Sequence, residues 1–244
     1  MRKVAELLKI YFMNKLRRPL TVAMSLLWAL AFFVFLYFVF ETGGLSFGKE
    51  GFSNSFVASY LVFVPAYIGV FGVLHGVLED SDSGLLKAYR GTRMEKYEYF
   101  TAKIAASSVS GLAVAALILG LASYLSPVTV SLPLAFMAVL ATVVAHSGIA
   151  LVTASLSKDT QESRMVVQTF VIVLIAGTPV FYPETLLPGS VRILQQLIPL
   201  THSIELSRAL VQQQATAGFI IEKTAVLVGF SAVLIGAAYR RFDF

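Results

Sequence analysis

EDSDSGLLKAYRGTRMEKYEYFTAK, residues 79–103, is the one long, densely charged interruption between the apolar runs of this chain. It contains the pattern of a short helix with cues at both ends. Ser83 or Asp82 can cap the start, because a side-chain oxygen there accepts an otherwise unpaired amide N–H. Gly91 can end it, since glycine tolerates the left-handed backbone that terminates helices. Leu85, Leu86 and Tyr89 fall on one apolar face, with Lys87 and Arg90 beside it. Thr92 followed by Glu95 reads as a capping box that starts a second helix. A short amphipathic helix held between two membrane spans has no lipid core for its apolar face, so it is expected to present that face to another protein. The alternative is a solvated loop on the bilayer surface.

The surrounding composition makes the membrane reading compelling. Of 244 residues, 57% are apolar, against about 45–50% in ordinary soluble domains. Charged residues make up 14% and are clustered. The net charge of +5 is explained by membrane orientation rather than by nucleic acid, since no basic stripe interleaved with stacking aromatics occurs. The absence of cysteine excludes disulfides, thiolate metal sites and cysteine catalysis. The N-terminal apolar run is too long for a cleavable signal, and no small-residue cleavage site follows it.

Residues 1–18 are basic and amphipathic. Val4, Leu7, Leu8, Tyr11 and Phe12 share a helical face, surrounded by Arg2, Lys3, Lys9, Lys15, Arg17 and Arg18. Such a helix is expected to lie in the headgroup plane, apolar face in lipid. Six apolar runs then approach the ~20 residues that cross a bilayer as helix: 20–40, 56–78, 104–125, 132–156, 165–182 and 219–239. The expected fold is therefore an all-α membrane protein with six transmembrane helices in a single domain spanning 1–244. Fifteen of the nineteen Lys and Arg residues lie in the N-terminal segment, in 79–103, in 157–164 and at Arg240–Arg241. Cations stay cytoplasmic, which places both termini and the 79–103 loop there.

Residues 183–218 face the other side. The segment is too apolar for a plain loop and is broken by Pro183, Pro188 and Pro199. Val191, Leu194 and Ile198 mark one helical face that Pro199 is expected to end. Thr201 or Ser203 can cap a second short helix through about Gln212. The pair reads as a partly re-entrant segment, which survives at membrane depth only where protein or water covers it.

Catalytic readings fare poorly. Ser147 beside His146 in AHSG invites comparison with intramembrane serine proteases, but adjacent residues point about 100° apart on a helix and the sixth span has no histidine. No HExxH occurs, and His75, His146 and His202 are scattered. His75 and His146 lie within spans, where a neutral histidine bonded to a neighbouring helix is the usual case. Gly72 and Gly76 form a GxxxG that permits close helix packing. Trp28, Phe32, Phe33, Phe35, Tyr37, Phe38 and Phe40 either line a path or face lipid. No GxxxxGK[ST] phosphate loop occurs.

The 79–103 loop resembles the first cytoplasmic loop of ABC-2 type transporter permeases. That pattern has acidic residues, a glycine, a leucine-rich helix, a glutamate, and a lysine nineteen after the glycine. Glu79, Gly84, Leu86, Glu98 and Lys103 match it, while Thr92 and Arg93 stand where a proline is usual. The segment from the end of span five is similar to the second signature of that family. Phe181, Pro183, Leu187, Pro188, Pro199, Leu200, Thr201 and Arg208 match, with Gly177-Thr178 in place of serine-glycine. The resemblance implies a non-catalytic permease subunit of an exporter in the plasma membrane. It further implies a second permease, identical or related, and separate ATP-binding subunits that hold ATP and magnesium, this chain binding no cofactor or metal. The short helix would be the coupling helix, with Glu79, Gly84, Leu85, Leu86, Lys87, Tyr89, Arg90 and Glu98 at the ATPase-docking site. SKDTQESR at 157–164 would make a lesser contact. Substrate would pass between paired permeases along spans one, two and five. Aromatic-rich spans suit a drug, lipid or glycolipid. The rival readings are a stand-alone carrier or channel, which would need ionisable groups in mid-span and repeated halves, and a membrane-bound hydrolase.

Overall fold

In a computed structural model, the structure describes residues 2–17, 19–42, 52–92, 94–125, 130–156, 160–182 and 187–242. All regular structure among them is helical. The helices are α1 (Arg2–Leu16), α2 (Pro19–Thr42), α3 (Phe52–Asp82), α4 (Leu85–Arg90), α5 (Lys96–Leu125), α6 (Leu132–Leu156), α7 (Thr160–Gly177), α8 (Gly189–Gln195), α9 (Pro199–Val211) and α10 (Ala217–Arg241).

Four helices among the described residues are long and apolar enough to cross a membrane: Asn54–Asp82, Lys96–Leu125, Leu132–Leu156 and Ala217–Arg241. Helix α2 contributes a shorter apolar stretch, Leu26–Val39. Helix α7 occupies most of the fifth expected run but stops at Gly177 instead of 182. Pro179 explains the stop, because a residue before proline is pushed out of the helical region. Helices α3 and α5 outrun their apolar cores in the opposite sense. At 31 and 30 residues they extend roughly 45 Å, beyond a hydrocarbon layer of about 30 Å.

The centre of the bundle is α3, packed on α5, α6 and α9, with α10 closing over α6 and α9. Helices α2 and α7 lie at the periphery, each against α3. The glycine pair on α3 makes the α3–α5 contact close. A Cβ at Gly72 would stand 2.9 Å from Ser107 Oγ, and one at Gly76 would stand 2.9 Å from Lys103 Nζ. The two helices are thereby antiparallel. Gly69 is tighter still against α6, where a Cβ would come within 2.8 Å of the Val143 carbonyl oxygen. Backbone cannot yield there as a flexible side chain can. Gly69→Ala is expected to destabilise by about 1–3 kcal/mol through overpacking. Gly120→Ala, with nothing within 4 Å, should leave the melting temperature of purified protein unchanged or raised. Equal melting temperatures for the two variants would refute the close approach.

Beside a small apolar cluster at Ala138, Leu206 and Leu210, two large ones divide the bundle lengthwise. One gathers Phe33 and Tyr37 of α2, Phe56 and Tyr60 of α3, and residues of α5, α6 and α9. The aromatic residues of α2 are thus split: Phe33 and Tyr37 are buried, while Trp28, Phe35 and Phe38 remain exposed. The other cluster joins Val73, Leu74 and Val77 to Tyr99, Phe100, Leu151 and Phe242. Phe242 stacks on Tyr99 at 5.7 Å and meets Phe100 edge-on at 5.2 Å. Helix α1 crosses the start of α5, and Lys3 pairs with Glu98 at 3.1 Å. The described chain therefore begins and ends at the same end of the bundle, beside α4.

Helix α1 turns part of its apolar face toward α5: Leu7 is buried and Tyr11 reaches an interior carboxylate, while Val4, Leu8 and Phe12 are half-buried. Ile10 and Met13 are left exposed, with Lys9. Amphipathicity shows that a helix has an apolar side, but lipid and protein compete for it.

Candidate functional site

Helix α4 begins after a turn that no side chain caps. Gly84 occupies the N-cap position with φ 74° and ψ 6°, the left-handed region, where glycine escapes the Cβ clash that other residues meet. Ser83 Oγ donates to the Asp80 carbonyl at 3.2 Å instead of capping α4. At the other end Gly91 is right-handed, φ −80°. Gly91 thus ends the helix as its C-cap, but the left-handed turn is made by the glycine before the helix. Thr92 also works backward. Its hydroxyl donates to the Tyr89 carbonyl at 2.9 Å and accepts from the Met94 amide, closing α4. The start of α5 is secured three residues later, where Glu98 Oε2 accepts the Glu95 N–H at 3.1 Å. That is one arm of a capping box built on Glu95 and Glu98. Glu98 therefore also fastens α5 to α1 through Lys3.

The apolar face of α4 is not turned outward. Leu86 and Tyr89 are half-buried against the cluster that contains Val77, Tyr99 and Phe100, and Tyr89 lies 5.9 Å from the Tyr99 ring. Leu85 is half-buried as well. Burial, with the Asp80 carboxylate nearby, pushes the Tyr89 phenol up to about 12. What α4 offers to solvent is Lys87, Ala88 and Arg90, with Glu79 exposed on the last turns of α3.

Beneath α4 lies a polar core that sequence reasoning missed. Asp80 and Lys103 form an ion pair at 2.7 Å with side chains only 9% and 3% exposed. Tyr11 and Tyr99 each donate a hydroxyl to the same Asp80 oxygen at 2.9 Å. Lys103 also donates to the Gly76 carbonyl at 2.6 Å and sits 3.7 Å over the Tyr11 ring. Burial first, and the Asp80 charge second, hold the Tyr11 phenol protonated far above its ordinary range. One carboxylate on α3 thus collects partners from α1 and α5. The available clue was the pairing of opposite charges at the inner edges of two apolar runs, Asp80 ending one and Lys103 beginning the next.

The second group of expected site residues stands apart. Ser55 and Asp80 are 25 residues along one helix, roughly 37 Å, and α9 packs at the Ser55 end. Ser207 Oγ donates to the Ala58 carbonyl at 2.6 Å, Arg208 Nε to Ser59 Oγ at 2.9 Å, and Gln212 to Ser55 Oγ at 3.1 Å. The guanidinium also reaches the Pro179 carbonyl. Arg208 thereby stitches α9 to α3 and to the chain leaving α7. Pro199 does not end a helix. It is the first residue of α9, where its missing N–H costs nothing. Thr201 and Ser203 are consequently buried inside α9 and do not cap it. Pro188 precedes α8. Pro183 lies outside the described residues, as do residues 157–159 of the 157–164 loop.

His75 Nδ1 faces the Phe71 carbonyl at 2.9 Å, and the fully buried His146 faces the Thr142 carbonyl at 2.8 Å. Both rings bond their own helix, one turn back. The Ser147 hydroxyl has no hydrogen-bond partner among the described residues, so His146 and Ser147 are not arranged as base and nucleophile.

A family described as ABC-2 family transporter protein matches residues 40–240, from the last turn of α2 through α10. No curated protein matches the chain.

Proposed function

The chain belongs to the ABC-2 family of transporter proteins, membrane permeases that are generally non-catalytic and work with an ABC ATP-binding partner in a dimeric arrangement; from that premise we propose that it is an exporter permease driven by ATP hydrolysed on a separate subunit. The cargo is lipophilic or amphipathic: a drug, lipid or glycolipid. Helices α2, α3, α5, α6, α7 and α10 serve as six spans of one domain, with both termini cytoplasmic in the plasma membrane. Helices α8 and α9 form the re-entrant pair on the opposite side. A second permease, identical or related, completes the pathway along α2, α3 and α7.

Helix α4 is the coupling helix. The observation that carries this reading is its mounting: a six-residue helix standing on buried apolar and ionic supports, with Lys87, Ala88 and Arg90 directed outward. Docking then uses that polar side, with Glu79, while Leu86 and Tyr89 pass force into α3 and α5. A stiff support is what transmission requires, since a loosely held loop would absorb the motion of its partner.

The cysteine-free chain makes the test direct. Ala88→Cys, treated in native membranes with a bifunctional thiol reagent, is expected to yield an adduct whose second polypeptide carries a GxxxxGK[ST] loop. Adducts confined to lipid, or to proteins lacking that loop, would remove α4 from the docking role.

A further inference from the structure

Helices α9 and α10 are tied by a largely covered charge cluster that has one unfilled position among the described residues. Glu205 of α9 receives Lys223 of α10 on Oε2 at 2.6 Å, and the Gln196 side-chain amide on Oε1 at 2.8 Å. Both charged side chains are largely covered, 15% and 12% exposed. One turn before Glu205, the buried His202 ring directs Nε2 at the Gln196 carbonyl, 2.9 Å away. A carbonyl only accepts, so Nε2 carries the hydrogen in the neutral ring and Nδ1 is left as a bare acceptor. Nδ1 is buried with no hydrogen-bond partner among the described residues. The carboxylate oxygen nearest it is Glu205 Oε2, 3.9 Å away, and two acceptors facing one another stabilise nothing.

We propose that His202 Nδ1 is a proton-binding site, and that its occupancy sets how firmly Glu205 holds Lys223 and hence α9 holds α10. A proton on Nδ1 turns the unfilled acceptor into a charged donor pointing at Glu205. Closing the 3.9 Å gap to hydrogen-bond distance then satisfies a buried orphan, and such charge-assisted bonds are about twice as strong as neutral ones. The Glu205 oxygen that gains His202 is the one that already serves Lys223, so the two cations compete for it. Histidine is the side chain whose charge ordinarily changes between pH 5 and 8.

The surroundings bring few rivals. On α10, Glu222 lies 3.5 Å from Lys223 but is mostly exposed, and Phe230 faces the His202 ring at 6.1 Å. On α9 the Arg208 guanidinium is turned to Ser59 and Pro179. From α8, Arg192 is exposed. Helix α6 carries one titratable group, His146, bonded to Thr142. The acidic residues of α3, Glu79, Asp80 and Asp82, lie at its far end together with His75.

Two spin labels report the tie through α8, the helix that leads into α9. Ile193→Cys on α8 and Ile221→Cys on α10 stand at exposed positions, 73% and 69%, in a chain with no cysteine of its own. Distances between them are measured in lipid nanodiscs at pH 8 and pH 5. The expected result is a longer-distance population at pH 5 that disappears when His202→Gln is added and persists with His75→Gln. Glu205→Gln, which removes the charge both cations seek, should also abolish the pH response and guards against a poorly folded His202 variant. An unchanged distribution between the two pH values would overturn the proposal. So would an equal shift in the His202→Gln background.

Discussion

Asp80→Ala is expected to cost about 3–5 kcal/mol of folding stability, the usual consequence of deleting one partner of a buried ion pair and stranding the other charge. Lys103 would keep the Gly76 carbonyl and the Tyr11 ring, but neither neutralises an ammonium group that is 3% exposed. Tyr11 and Tyr99 would lose their shared acceptor as well. Lys103→Ala should be comparably damaging, because it leaves the Asp80 carboxylate held by two neutral hydroxyls. The double variant Asp80→Leu with Lys103→Met removes both charges and is expected to recover a substantial part of the loss, since apolar pairs of similar volume often replace buried ion pairs at little cost. Tyr11→Phe deletes one neutral donor and should cost about 1 kcal/mol. Thermal melts of detergent-purified protein, with the folded yield from membranes, measure all four. Single variants melting within a degree or two of the parent would show that the cluster contributes little to stability.

The second large effect separates docking from folding at α4. Leu86 is half-buried on the chain's own cluster, so Leu86→Asp pushes an unpaired charge onto apolar surface. It is expected to destabilise by about 2–3 kcal/mol and to lower the yield of folded protein. Lys87→Glu with Arg90→Glu changes only exposed side chains and should leave the melt within about 0.5 kcal/mol of the parent. That same pair is expected to weaken association with the ATP-binding subunit tenfold or more, as charge reversal at an interface does. Co-purification at several salt concentrations reads the affinity. If Lys87→Glu with Arg90→Glu binds normally while remaining folded, the polar side of α4 is not the docking surface.

The two predictions meet at a point the residues alone left ambiguous. Leu85, Leu86 and Tyr89 were legible as an apolar face, because three- and four-residue spacing places them together on any helix. What that face touches was not legible. It depends on Tyr99 and Phe242 arriving beside it from two other segments of the chain. The cap residues illustrate the same limit locally. Ser83, Gly91 and Thr92 each have the chemistry the start or end of a helix needs, yet Gly84 adopts the left-handed turn and Glu98 bonds back to Glu95. Several residues could satisfy the same orphan amides, and packing chose among them.

Chain order alone determined the class of this protein: long apolar runs, charges gathered between them, a GxxxG stripe on α3 and the signature spacing from Gly84 to Lys103. Those features are periodic or local, so neighbouring residues carry them. Tertiary structure decided the partners. Asp80 draws on Tyr11, Tyr99 and Lys103, and Glu205 on Lys223 and Gln196. Buried charges must find counter-charges wherever the fold brings them. For Asp80 and Lys103, the close approach of α3 and α5 that Gly72 and Gly76 permit joins two distant charges, and α1 adds Tyr11 to make a single support beneath α4.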